Sequence, residues 1–214
     1  LLAGCTPQTK LVFIANPNNP TGTSNSTEEI FSFVRSLPNH VIFCLDEAYS
    51  EYLENPPDIR PLIAEGRKII GLRTFSKMHG LAGLRIGYGY GNQEMIELLQ
   101  LARQPFNVNS IALACAYAAL EDKDWVSQCR RRNDAGLIQV QTGCEKMNLR
   151  TIPSKANFLL IEVGDGQKVF EDLQGRGVIS RPLPRDLSGY IRLSIGTEEE
   201  NDRSLEALRS TLFS

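Results

Sequence analysis

Three short apolar runs in this sequence, at positions 11–15, 41–45 and 69–72, each end in a group of polar residues. The polar groups that follow are NPNNPTG at 16–22, DEAY at 46–49 and RTFSK at 73–77. Short apolar runs rich in β-branched and aromatic residues, with helical patterns between them, predict parallel strands of an α/β sheet. Because such sheets bind ligands at the carboxyl ends of their strands, we expect the three polar groups to meet in one active site.

The rest of the chain predicts a large α/β domain followed by a smaller α+β domain. Ser26 and Glu29 have the spacing of a capping box, and the helix that follows is expected to stop at Pro38. A fourth strand is predicted at 85–90, and helices at 59–65, 94–102, 110–120 and 125–147. Later strands are predicted at 150–152, 157–163, 178–181 and 190–195, with helices at 167–174 and 199–212. We therefore assign residues 1–120 to the large domain and 121–214 to the small one.

Composition excludes several classes of function. The chain of 214 residues is 42% hydrophobic and 22% charged, which is typical of a globular protein with a sizeable core. Its formal net charge of −2 favours neither nucleic acid nor a membrane as a partner. The five scattered cysteines contain no C-x-x-C pair, which predicts a reduced, cytoplasmic protein. His40 and His79 are too few and too far apart to predict a metal site.

Lys77 is the residue on which the chemical interpretation depends. An amine at a strand end is expected to be held partly out of water by the turn that follows it, which favours its use as a nucleophile. Thr74 and Ser76 offer hydroxyl groups nearby, and Arg85 offers a guanidinium suited to binding phosphate. A nucleophilic amine beside a phosphate-binding group is what pyridoxal phosphate requires.

The other strand ends supply candidates for the cofactor ring. Asp46 is expected to pair with the pyridine nitrogen, and Tyr49 and Asn19 to form hydrogen bonds with the ring hydroxyl. Simpler interpretations remain open for single residues. Residues 16–22 could form only a proline-rich turn, Glu47 could be solvated or supporting, and Arg181 or Arg185 could form a surface ion pair.

Five motifs, in order along the chain, resemble the fold-type I, class I/II aminotransferases, and among these the histidinol-phosphate aminotransferases. They are NPNNPTG (16–22), LDEAY (45–49), RTFSK (73–77), LAGLRIGY (81–88) and IRLSIGT (191–197). The resemblance implies a mostly parallel-sheet large domain with a small C-terminal α+β domain. It also implies the cofactor pyridoxal 5′-phosphate, transamination between histidinol phosphate and 2-oxoglutarate in histidine biosynthesis, and a homodimer.

The resemblance also implies a role for each candidate residue. Lys77 would hold the cofactor covalently and move a proton, with Asp46 and Tyr49 completing the catalytic set. The implied cofactor-binding set is Asn19, Asp46, Tyr49, Thr74, Ser76, Lys77 and Arg85. The implied substrate-binding set, which would hold the anionic groups of the substrates, is Arg192, Arg181 and Asn19.

Family members carry further parts before the position equivalent to Lys10, namely an N-terminal arm, a glycine-rich phosphate loop, an aromatic residue that stacks on the cofactor and a tyrosine that reaches the partner's site. None of these has a counterpart in this sequence. We therefore expect the chain to be the C-terminal part of a longer enzyme. By itself we expect it to bind the cofactor weakly or not at all and to have no measurable activity.

Other functions fit the same motifs. An aromatic aminotransferase, a carbon–sulfur lyase and a phospho-amino-acid decarboxylase would use the same scaffold, because a fold does not determine a substrate. A different class is a non-catalytic sensor, in which such a domain follows the DNA-binding module of a transcription regulator. A winged-helix segment upstream would favour the sensor, and a phosphate loop with a stacking aromatic residue would favour the enzyme.

Overall fold

A computed structural model describes residues 1–213, which form two compact units. The first unit contains residues 1–17 and 24–126. The second unit contains residues 18–23 and the chain from Ser127 onward. The short segment 18–23 thus groups with the second unit, whereas the sequence interpretation placed everything up to residue 120 together. The division into functional domains at that residue stays a prediction.

The first unit is built on a four-stranded sheet in the order β1-β2-β3-β4. Its strands are β1 (Leu11–Ala15), β2 (Ile42–Asp46), β3 (Ile69–Thr74) and β4 (Gly87–Gly91). The first three are parallel, as predicted, and their carboxyl ends lie side by side, since Ala15 is opposite Asp46 and Asp46 is opposite Leu72. β4 runs antiparallel to β3 and begins later than predicted, because Arg85, which follows a 3-10 helix at Ala82–Leu84, has a left-handed and not an extended backbone.

The first unit also contains α1 (Thr27–Ser36), α2 (Arg60–Ala64), α3 (Gln93–Ala102) and α4 (Ser110–Glu121). The predicted capping box of α1 is confirmed, since the Ser26 hydroxyl accepts from the Glu29 amide and the Glu29 carboxylate accepts from the Ser26 amide. Ile30 and Val34 of α1 pack with Phe43 of β2 in the largest core cluster of this unit. α1 ends before Pro38, as expected from the missing amide of proline.

The second unit contains an antiparallel sheet in the order β5-β6-β8-β7. Its elements are α5 (Lys123–Lys146), which begins in the first unit, β5 (Thr151–Ile152), β6 (Phe158–Glu162), α6 (Gly166–Gly175), β7 (Arg181–Pro182), β8 (Tyr190–Ser194) and α7 (Glu198–Leu212). The predicted strand at 178–181 is wrong over most of its length. The Val178 amide donates to the Leu173 carbonyl, so this segment closes the end of α6 before β7 begins. Among residues 1–213 no helix has the length and apolar character needed to cross a membrane.

Gly166 lies where α6 passes close to the backbone before β8. A Cβ atom built there would meet the carbonyl oxygen of Tyr190 and would lie 2.7 Å from that of Ser188. Backbone atoms cannot turn aside, so we expect Gly166→Ala to lower the free energy of unfolding by about 1–3 kcal/mol. Chemical denaturation measures this loss. Gly175→Ala at the other end of α6 is the control, because nothing lies within 4 Å of its Cβ position. An equal loss in both variants would contradict the steric explanation.

Candidate functional site

Asp46 is the last residue of β2 and lies at the carboxyl edge of the first unit's sheet. Its carbonyl accepts a hydrogen bond from the Asn16 amide (2.9 Å), which ties it to the end of β1. Its side-chain Oδ1 accepts from the Ala48 amide at 3.0 Å. The carboxylate is half-buried and takes part in none of the salt bridges found among residues 1–213. It is therefore a fixed anion with a face still open to a ligand.

Lys77 lies in the turn that follows β3. The Thr74 hydroxyl accepts from the Ser76 amide (3.1 Å), and the Lys77 carbonyl accepts from the Gly80 amide (3.0 Å), so the turn is fixed on both sides of the lysine. The amine Nζ lies 5.5 Å from the centroid of the buried Tyr49 ring. The expected shielding of Lys77 from water is wrong, since its side chain is exposed in this structure. The turn buries its apolar residues instead and leaves the amine on the solvent side.

Arg85 and Ser76 come together beside this turn. Arg85 follows the 3-10 helix with φ +53° and ψ +49°, in the left-handed region that non-glycine residues rarely adopt. Its Nη1 donates to the Ala82 carbonyl (2.9 Å) and reaches the Ser76 hydroxyl at 3.4 Å. Strained backbone of this kind is concentrated at functional sites. The pair presents a guanidinium and a hydroxyl in the same place, which is a donor set suited to phosphate.

Arg192 is the centre of a second group of predicted residues, in the second unit. Its Nη1 donates to the Asn19 side-chain oxygen at 2.6 Å, and its guanidinium carbon lies 4.9 Å from the Phe158 ring centroid. Arg181 of β7 is directly opposite Arg192 of β8. Like charges opposite one another repel, and neither arginine forms a salt bridge within residues 1–213. An anion is the natural complement of this pair.

The structure thus distributes the predicted site residues over both units. Asp46, Tyr49, Thr74, Ser76, Lys77 and Arg85 lie in the first unit. Asn19, Arg181 and Arg192 lie in the second. Within the second unit Asn19 contacts an arginine, and its predicted bond to the cofactor ring hydroxyl stays a prediction. The roles assigned to all nine residues are proposals and are taken up below.

The partners of Glu47, which follows Asp46, were not identified from the sequence. Glu47 is 1% exposed, and its carboxylate accepts hydrogen bonds from Arg73 (3.1 and 3.3 Å) and from the Tyr90 hydroxyl (2.5 Å). A solvated Glu47 is therefore ruled out. Burial alone would lower the pKa of Arg73, because it disfavours the charged form. The hydrogen bonds and the negative charge of Glu47 outweigh this effect and raise the pKa of Arg73. Burial and then the same carboxylate raise the pKa of Tyr90.

A sequence comparison decides the family. The sequence model of the family described as "Aminotransferase class I and II" matches residues 2–208. The chain belongs to this family. The fold-type I architecture that the motifs implied is thereby confirmed, and the two sheets described above are those of a class I and II aminotransferase.

Curated relatives in this family share high identity with the chain. The histidinol-phosphate aminotransferase of Akkermansia muciniphila is 44% identical over 212 residues, which cover 99% of this chain and 58% of that protein. Histidinol-phosphate aminotransferase 2 of Pseudomonas fluorescens strain Pf-5 is 45% identical over 216 residues, with the same two coverages of 99% and 58%. The chain therefore spans a little under three fifths of the length of these relatives.

Solved structures include chains with a similar fold. The histidinol-phosphate aminotransferase of Sinorhizobium meliloti, in complex with pyridoxal-5′-phosphate, has a TM-score of 0.86 and 30% identity, covering 95% of this chain and 57% of that chain. L-threonine-O-3-phosphate decarboxylase of Porphyromonas gingivalis has a TM-score of 0.83 at 22% identity, covering 96% and 65%. The second likeness shows the fold alone, so similarity in fold does not separate transamination from decarboxylation.

Proposed function

We propose that the protein catalyses pyridoxal-phosphate-dependent transamination, with histidinol phosphate as amino donor and 2-oxoglutarate as acceptor, in histidine biosynthesis. The observation that carries this proposal is the arrangement in the first unit, where the Lys77 amine faces the Tyr49 ring beside the Ser76 and Arg85 pair. The names of the relatives at 44–45% identity support the choice of substrate.

The donor set of the first unit fits pyridoxal phosphate. Ser76 and Arg85 offer a hydroxyl and a guanidinium 3.4 Å apart for the phosphate group, with Thr74 fixing the turn between them and the sheet. Asp46 offers a carboxylate whose position at the sheet edge is fixed, suited to keep a proton on the pyridine nitrogen. When bound, the cofactor supplies an electron sink for the charge left at the substrate carbon.

Lys77 would hold the cofactor through Nζ and, once released by the substrate, would move the proton from the substrate carbon as a general base and then as an acid. The Tyr49 ring lies near this amine, with its centroid 5.5 Å from Nζ. The Tyr49 hydroxyl is proposed to bind the phenolic oxygen of the cofactor.

Arg192 is proposed to bind the anionic groups of the substrates, with Arg181 opposite it and Asn19 orienting its guanidinium. We expect Arg192→Ala to raise KM for histidinol phosphate and glutamate roughly tenfold to hundredfold, because a hydrogen bond to a charged group contributes about 1.5–3 kcal/mol. Steady-state kinetics on the complete gene product measure this. Arg150→Ala removes an exposed arginine paired with Glu162 in the same unit and is the control. Unchanged KM for both substrates would contradict the proposed role.

The substrate is tested by offering histidinol phosphate, phenylalanine and O-phosphothreonine to the complete gene product. Histidinol phosphate is expected to be turned over with the highest kcat/KM, with release of glutamate from 2-oxoglutarate. Preferred use of phenylalanine would indicate an aromatic aminotransferase. Release of carbon dioxide from O-phosphothreonine would indicate a decarboxylase.

Two further properties belong to the same proposal. A cytoplasmic location is supported by the five cysteines, all of which are free thiols and two of which are buried. Burial raises the pKa of the Cys44 thiol to about 11, so it is unreactive at neutral pH. Homodimer formation is proposed from the family resemblance, and sedimentation equilibrium of the complete gene product tests it.

A further inference from the structure

We propose that Glu47, Arg73 and Tyr90, called the Glu47 cluster below, are positioning residues that hold Asp46 and the Lys77 turn in register. This inference rests on the proposed function and adds three residues that would support the proposed site from outside it. None of the three belongs to the predicted catalytic, cofactor-binding or substrate-binding sets.

Strand alternation explains why two neighbouring residues have separate tasks. Successive side chains of a strand point to opposite faces of the sheet. Cys44 and Ile70 pack on one face, and this row ends in Asp46 on β2 and Thr74 on β3. The intervening residues of the same two strands point to the other face, which ends in Glu47 and Arg73. Asp46 and Thr74 thus lie on one face of the sheet and the Glu47 cluster on the other.

The Glu47 cluster joins three strands at one carboxylate. Glu47 directly follows β2, and its amide donates to the Leu72 carbonyl of β3 at 2.9 Å. Its side chain accepts two hydrogen bonds from Arg73 of β3 and one from Tyr90 of β4. The Nη1 atom of Arg73 also lies 3.7 Å from Oε1 of Glu51. A shift of any of these three strands along its axis would break a bond to this buried carboxylate.

The sequence of β3 makes room for this arrangement. Gly71 is opposite Tyr90 in the sheet register. A Cβ atom at Gly71 would lie 2.5 Å from Cζ of the Tyr90 ring and 2.8 Å from its hydroxyl oxygen. The ring therefore lies flat across the glycine, which brings the hydroxyl group to Glu47. The guanidinium carbon of Arg73 lies 5.9 Å from the centroid of the same ring, and both side chains are on the same face of the sheet.

Positioning of this kind matters because catalytic groups depend on sub-ångström placement. Asp46 precedes Glu47 directly, and Arg73 precedes Thr74, whose hydroxyl fixes the turn that carries Lys77. The Glu47 carboxylate is almost completely buried, so it has no water to replace a lost partner. We therefore expect that loosening the cluster moves the segment that contains Asp46 and the turn that carries Lys77, and not only residues on the surface.

The test compares Glu47→Gln with Glu65→Gln in the complete gene product. Both changes replace a carboxylate paired with an arginine by an amide, but Glu65 is a surface residue paired with Arg35. Two quantities are measured: amide hydrogen exchange at residues 46–48 and 74–77, and the dissociation constant of pyridoxal phosphate, read from the change in the cofactor's visible absorbance on titration. We expect Glu47→Gln to raise both by about tenfold or more, as for the loss of one hydrogen bond to a charged group. Glu65→Gln should change neither.

Tyr90→Phe is the second variant and guards against a Glu47→Gln protein that fails to fold. It keeps the ring on Gly71 and removes only the hydroxyl, so the same two quantities should rise by a smaller factor. Exchange and affinity that match Glu65→Gln would overturn the proposal, as would faster exchange without weaker cofactor binding. If the unsubstituted protein does not bind pyridoxal phosphate at Lys77, the proposed function itself fails, and the exchange data distinguish that outcome from a failure of the cluster.

Discussion

Replacing Lys77 with alanine is expected to abolish covalent attachment of pyridoxal phosphate and to lower kcat by at least about 10³-fold, because both nucleophile and proton carrier are lost. The side chain is exposed, and its amine lies 5.5 Å from the centroid of the Tyr49 ring, so the fold should remain intact. Borohydride reduction of the complete gene product with the cofactor, followed by peptide mass spectrometry, should locate the label on the peptide that contains Lys77.

Lys68→Ala is the matched control for this experiment. Lys68 lies in the same unit, 4.0 Å from Glu94, and has no place in the proposed site. The variant should keep both the labelled peptide and the turnover of the parent protein. A label on a different lysine, or a Lys77→Ala protein with ordinary turnover, would refute the central assignment.

Replacing Asp46 with asparagine is expected to separate cofactor attachment from catalysis. Asparagine keeps an oxygen for the Ala48 amide, which Asp46 Oδ1 now accepts at 3.0 Å, so the end of β2 should be unchanged. Loss of the negative charge removes the partner of the protonated pyridine nitrogen and weakens the electron sink. We expect covalent labelling at Lys77 to persist while kcat falls roughly 30- to 160-fold, which corresponds to about 2–3 kcal/mol.

Asp58→Asn is the control for Asp46→Asn. Asp58 is an exposed carboxylate of the same unit whose hydrogen bonds with Arg60 hold its pKa below the ordinary value. Its replacement should leave labelling and kcat unchanged. The role given to Asp46 would be wrong if Asp46→Asn and Asp58→Asn had equal rates.

Much of the fold was predictable because its signals are local. The capping box at Ser26 and the strand β1 (Leu11–Ala15) depend on residues close in sequence, and both were predicted correctly. The segment 178–180 was predicted as strand and is not, because a hydrogen bond from Val178 to the end of α6 competes with strand pairing. A local apolar pattern carries no signal of such a competition.

The positions of two candidate site residues were predictable, while the roles proposed for them stay predictions. The parallel strands brought Asp46 to the expected edge, and the turn after β3 brought Lys77 beside Tyr49. Exposure of Lys77 was predicted wrongly, because it depends on which neighbours in the turn are buried. The pairing of Glu47 with Tyr90, which are 43 residues apart, has no local signal at all.

By itself the sequence determined most of the elements of this protein, the polar residues at the ends of its parallel strands and its membership of the aminotransferase class I and II family. These follow from side-chain period, capping residues and ordered motifs, which are properties of short segments. Only the tertiary structure decided that Asn19 contacts Arg192 and that Glu47 is buried against Arg73 and Tyr90. Those contacts join residues distant in sequence, and a hydrogen bond forms only where folding places its donor and acceptor within about 3 Å.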